Sequence, residues 1–255
     1  MTSPHTPLSV NDDWKGKSGL NLYADFVMET DDVVGRVLHA LDEASLAEST
    51  LVVFTSDNGC APYISVQELE SKGHFPSGPL RGYKADAWEG GHRVPFIVRW
   101  PGEVQAGAVN HQLVHQADLL ATFAELLGSE LQAGAGEDSF SMLPLLHGGS
   151  EPIRETSISC SIQGVPSLRH GSWKYIAAPG SGGWGKGGYQ SQPVQLYDFS
   201  RDLAESKNLA AVDSERLTKM QAMLEKLITD GRSTPGQKQA NDVTVRRFPV
   251  AKPSR

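Results

Sequence analysis

Between about Gly19 and Ala44, Leu22, Phe26, Val33, Val37, Leu38 and Leu41 recur with Asp and Glu between them, a spacing that predicts one amphipathic helix. The pattern then changes. "LVVFT" at 51–55 and "VPFIVRW" at 94–100, the latter bounded by Pro101 and Gly102, are continuous apolar runs that suit strands buried on both faces of an α/β sheet. Helical spacing returns in "DLLATFAELLG", with Asp118 as its N-terminal cap and Gly128 as its stop. After a glycine-rich break at 134–136 come the short β-like pieces "TSISCSI", "GVPSLRHGSWKYIAA" and "VQLYDFS", the middle one a hairpin turning at His170 and Gly171. Residues 213–231 read as a final amphipathic helix.

These elements describe an α/β chain. Its first part, 1–150, is a sheet flanked by helices, and 151–231 form a smaller α+β subdomain with an antiparallel sheet. From Arg232 the chain is polar and mostly basic, and 232–255 are expected to be a disordered tail. The stretch "PGSGGWGKGGYQSQP" is too rich in glycine to order cheaply; it reads as a mobile loop or as the border of a pocket. Residues 1–18 are polar and carry Pro4 and Pro7, and no internal repeat is present.

Composition narrows the functions. With 255 residues, 39% of them hydrophobic, the chain can bury a sizeable core. A net charge of −7, from 23 Lys and Arg against 30 Asp and Glu, offers no broad cationic surface to nucleic acid. An anionic substrate therefore needs a local cationic pocket. Two cysteines, Cys60 and Cys160, exclude a disulfide framework and a four-cysteine zinc site, and leave compartment open. No apolar run approaches the roughly 18 residues of a membrane span. The first residues also lack a signal-peptide core, which bears on location only if Met1 is the true start.

Two stretches carry candidate chemistry. Asp57 and Asn58, in "TSDNG" after the first apolar run, offer hard oxygens of the kind that bind Ca²⁺ or Mg²⁺, although Asp-Asn-Gly also makes an ordinary turn. "GPLRGYKADAWEGGHRVPFIVRWPG" at 78–102 gathers Arg81, Lys84, His92 and Arg93, either poised at the sheet or solvated. Glu89, Gly90, Gly91 and Arg93 read as scaffold, the glycines for a tight turn and the Glu–Arg pair to hold it. Glu29, Asp31 and Asp32 read as a solvated or capping face.

Taken together, "TSDNG" followed about 25 residues later by "LRGYKADAWEGGHRVPFIVRWPG" resembles the formylglycine-dependent sulfatases of arylsulfatase type, whose fold is shared with alkaline phosphatase. "SPHTPL", "ETDDVVGRVLHALDE", "ADLLATFAELLG", "SMLPLLHG", "RHGSWKYI" and "LYDFSRDLAESKNLA" extend the resemblance in order to about residue 230. It implies that Asp57 and Asn58 ligate an active-site Ca²⁺, that Lys84 holds a sulfate oxygen, and that His5 bonds a sulfate oxygen near the leaving group. It further implies an alkaline-phosphatase-like central sheet, a sulfate-ester small molecule or sulfated carbohydrate as substrate, and a periplasmic or secreted location. The family's Cys-x-Pro-x-Arg motif, source of the formylglycine nucleophile, is absent from these residues. "CAPYI" at 60–64 has Ile64 where arginine is required and is a decoy. The family's upstream aspartate pair is missing too, so the chain reads as the C-terminal part of a sulfatase and Met1 as an internal start. A phosphomonoester, phosphodiester or phosphonate hydrolase of the same superfamily is the alternative enzyme, and a non-catalytic fragment the alternative of another class.

Overall fold

In the computed structural model, residues 2–188 and 192–246 are described. Helix α1, Leu22–Glu43, begins where the Asn21 side chain accepts from Ala24 N at 3.1 Å, as an N-cap does. The chain then forms β1, Val52–Thr55, the short helices α2, Val66–Ser71, and α3, Glu89–His92, and β2, Phe96–Arg99. Strands β1 and β2 pair antiparallel, Val52 opposite Arg99 and Thr55 opposite Phe96. Helices α4, Asp118–Leu126, and α5, Leu143–Leu146, follow.

Both apolar runs form strands, yet neither is buried on both faces. Phe54 and Ile97, directly opposed across the pair, are 36% and 59% exposed. Among the described residues this sheet has only two strands, so no third layer covers that face.

Strands β3 (Thr156–Cys160), β4 (Pro166–His170), β5 (Trp173–Ile176) and β6 (Gln195–Asp198) form an antiparallel meander in sequence order. The β4–β5 hairpin turns at Gly171 and Ser172, with His170 still paired to Trp173. Its positive φ, +57° at Gly171, is the conformation glycine adopts without strain. The final helix α6, Ser214–Asp230, is capped by Asp213 at one end and by Gly231, φ +64°, at the other.

Alternation along β5 gives the sheet two packed faces. Tyr175 joins Leu168, Leu196 and α6 residues Met220 and Leu224 in the largest core cluster. Ile176 points the other way, packing with Ala87, Trp88, Val165 and Tyr197. The segment that carries Lys84 is thereby fastened to the four-stranded sheet.

The tail expected to be disordered from Arg232 has named partners over its first part. Ser233 N and Thr234 N donate to Glu137 O at 3.1 and 3.0 Å, and Gln239 N donates to Asp230 O at 2.9 Å. Polar backbone that finds such acceptors can order without an apolar core. Residues 247–255 lie outside the described residues.

Candidate active site

β1 ends at Thr55 and delivers Ser56, Asp57 and Asn58 to the rim of a cleft of about 820 Å³. Gln116 steadies this turn, donating to Thr55 Oγ1 at 2.9 Å and to Ser56 O. Gly59 then passes against the α3 backbone. Its N donates to Gly91 O at 3.0 Å, and a Cβ placed on Gly59 would lie 1.8 Å from Gly90 O. Only glycine permits that approach.

The EGG turn is built by the same logic. A Cβ on Gly90 would meet Gly82 O at 2.3 Å, and one on Gly91 would meet Asp86 O at 2.3 Å. Crowding by neighbouring backbone, rather than a turn needing positive φ, is what excludes side chains here. Lys84 sits on the facing loop, where its N donates to Cys60 O at 2.8 Å. The buried Asp86 carboxylate accepts from Tyr83 N at 2.8 Å.

His5, Asp57, Asn58 and Lys84 all line this one cleft. The four cations of segment 78–102 have different fates. Arg81 stacks 3.7 Å over the Trp88 ring and donates to Glu205 O at 2.7 Å. His92 and Arg93 turn to Glu89, each 3.6 Å from its carboxylate. Lys84 alone among them lines the cleft. Cys60 also lines it, bonded to Ser77 Oγ at 3.2 Å. Burial pushes its thiol up, which disfavours the thiolate a nucleophile needs.

Pairing of Glu89 with Arg93 is one contact of a larger buried network. Lys174 Nζ, on β5, lies 2.9 Å from Glu89 and 3.1 Å from Glu205, all three buried, and Arg169 reaches Glu89 at 3.5 Å. Burial opposes ionisation of Glu89, but Lys174, His92 and Arg169 outweigh it and hold the carboxyl down at about 2. Burial, with Lys174 beside it, pushes His92 down to about 4. Glu205, by contrast, is raised, since burial outweighs its share of Lys174. Sequence reasoning missed Lys174 and Glu205; the visible signal was a lysine inside the apolar strand "WKYI", where a buried charge demands a partner.

The acidic cluster on α1 is divided. Glu29 is buried and accepts from Asn11 N at 3.1 Å, while Asp32 pairs with Arg36 at 3.1 Å on the surface. Among the described residues no group of three or more His, Cys, Asp or Glu side chains could hold a metal. No helix of the described residues is long and apolar enough to cross a membrane.

The sulfatase family model matches residues 1–129. This chain belongs to the sulfatase family. An N-acetylgalactosamine-6-O-sulfatase of Bacteroides thetaiotaomicron is 34% identical over 233 residues, 88% of this chain and 45% of that protein. Human steryl-sulfatase is 41% identical over 150 residues, 58% of this chain and 25% of that protein. A solved Bacteroides thetaiotaomicron structure, described under the metabolism of multiple glycosaminoglycans, superposes with a TM-score of 0.79 at 32% identity, covering 89% of this chain and 48% of that one. The fold is therefore the mixed α/β fold of the sulfatases, and the chain spans less than half the length of these relatives.

Proposed function

We propose that the complete protein hydrolyses sulfate esters of carbohydrates, with Lys84 and His5 as substrate-contacting residues and Asp57 and Asn58 as part of a Ca²⁺ site. One observation carries this reading: four residues drawn from three separate stretches of the chain converge on one cleft. Membership of the sulfatase family and the carbohydrate named for the Bacteroides relative support it.

The donor chemistry fits calcium. A carboxylate and an amide oxygen are hard ligands, and Asn58 Nδ2 donates to Gly59 O at 3.1 Å, leaving Oδ1 available. Two such ligands fall short of the six to eight that Ca²⁺ takes, so other residues must complete the set. When bound, the ion supplies positive charge beside the sulfate oxygens.

Attack at sulfur builds negative charge on non-bridging and leaving oxygens. The Lys84 ammonium offsets the former. His5 Nδ1 lies 2.6 Å from Thr6 O, and a carbonyl only accepts, so Nδ1 carries hydrogen. Nε2 is then the ring nitrogen left for the leaving oxygen, and in this tautomer it carries a proton to donate only in the imidazolium form.

In the full-length protein, Lys84→Ala is expected to lower sulfate-ester turnover roughly a hundredfold or more, the usual cost of one preorganised oxyanion contact. Asp57→Ala should lose both activity and Ca²⁺ binding by calorimetry. Turnover by Lys84→Ala within about twofold of the parent, with normal folding, removes Lys84 from the role. Faster cleavage of the matched phosphate ester than of the sulfate ester would shift the assignment to a phosphoesterase.

A further inference from the structure

We propose that Tyr63 and Trp184 form an aromatic rim at the cleft that stacks on the sugar ring of the ester, so that the alcohol portion is held separately from its sulfate; this rests on the sulfatase reading above. Tyr63 lines the cleft together with Lys84. Trp184 stands beside it, with ring centroids 6.0 Å apart and planes inclined at 53°. The two rings remain 49% and 42% exposed. Two large aromatic side chains placed against each other yet left half in water present an open binding face, since each would bury more area if its role were packing.

The loop that carries Trp184 is built to hold it still. Glycine stands on both sides of it in "GGWG". A Cβ on Gly183 would fall 2.3 Å from Ala85 O, and one on Gly185 would fall 2.3 Å from Asp86 Oδ2. The backbone thus lies flat on the 85–86 turn, and the indole is the side chain that projects from that stretch. Gly185 N donates to Asp86 Oδ1 at 2.7 Å, and Ala87 N donates to Ser181 O at 2.8 Å. The second oxygen of the same Asp86 carboxylate holds Tyr83 N, next to Lys84. The part of this loop that bears Trp184 is therefore held by named hydrogen bonds to the 85–87 stretch. Residues 189–191 lie outside the described residues.

Geometry favours a saturated ring. Planes inclined at 53° cannot sandwich a flat aryl group, but they offer a face to one side of a puckered ring and a second face to its edge. Carbon-bound hydrogens of a pyranose carry slight positive charge, and aromatic faces are negative. Neither rim residue bears a charge, so the rim acts on sugar whether or not the sugar is sulfated.

That independence supplies the test. In the full-length protein, unsulfated N-acetylgalactosamine is titrated by saturation-transfer NMR, and turnover of its 6-sulfate is measured in parallel. Trp184→Ala and Tyr63→Ala should each weaken binding of the unsulfated sugar by roughly fivefold. Trp184→Phe should stay within about twofold of the parent, which separates stacking from loop collapse. Lys84→Ala should lower turnover of the 6-sulfate roughly a hundredfold or more and leave binding of the unsulfated sugar unchanged, since its contact is to the sulfate. Binding by Trp184→Ala equal to that of the parent, or no binding of the sugar to the parent at all, overturns the rim. Loss of binding in the rim variants together with a parent that turns over no sulfate ester leaves the rim standing and removes the sulfatase reading.

Discussion

Gly59 shows how much of the site depends on one missing atom. A methyl group there would stand 1.8 Å from Gly90 O, and neither backbone can retreat, because Gly59 N and Gly91 O are already bonded. Gly59→Ala is expected to destabilise the fold by about 3 kcal/mol, the upper end for overpacking, measurable as a lower urea midpoint at unchanged slope. Gly16→Ala, by comparison, meets no atom within 4 Å but sits at φ +79°, so it should cost only about 1 kcal/mol. At this scale the place of Asp57 and Asn58 at the cleft was legible because they follow closely on an apolar run. Lys84 was legible through the family resemblance, as one of four nearby cations. What separates Lys84 from Arg81, His92 and Arg93 is their buried or aromatic partners, Trp88 and Glu89, which stand close by in the chain on a turn whose packing no spacing reveals.

Elements followed their periodicity more closely than residues did. The amphipathic spacing from Gly19 to Ala44 yields Leu22–Glu43, and the final helix runs Ser214–Asp230 between its two caps. Asp118 departs from its expected part. Its side chain accepts from His115 N at 2.7 Å and Phe140 N at 3.0 Å and pairs with Arg154 at 2.7 Å, so it ties the helix start to later chain as well as closing the turn before it. The apolar strands misled about burial because hydrophobicity reports what a strand can bury, whereas cover depends on neighbouring layers. Phe54 and Ile97 form an apolar patch on a two-stranded ribbon. Phe54→Thr with Ile97→Thr should change the stability of the 255-residue chain by less than about 0.5 kcal/mol per site and lower its aggregation, read by light scattering.

Across the whole molecule, ion pairs join residues before 150 to residues beyond it. Arg154 meets Asp118, and Lys174 meets Glu89. Lys174→Met would leave Glu89 and Glu205 buried without their shared cation, which should cost about 3–5 kcal/mol; adding Glu205→Gln should recover part of it. The same network sets an acid limit. His92 takes its proton at about 4 in the fold against 6.5 in the open chain, so between those values the unfolded state binds more protons and stability falls on acidification. Glu89, at about 2 against 4.5, extends the loss to lower pH, and Glu205, raised by burial, works in the opposite sense. His92→Gln should flatten the stability profile between pH 6.5 and 4 by on the order of 2 kcal/mol, measured by denaturant titration at each pH.

Asp86 gives the molecule a shared clock. One oxygen of its carboxylate fastens Tyr83 N and the other Gly185 N, amides about a hundred positions apart in the chain. Any motion that swings this one carboxylate away strips both amides of their acceptor at once, so the two should exchange with deuterium at rates that rise together. Replacing Asp86 by Asn leaves one acceptor oxygen and a donor where the second acceptor was. In that variant the two rates should part company, with one loop keeping its tempo and the other running fast.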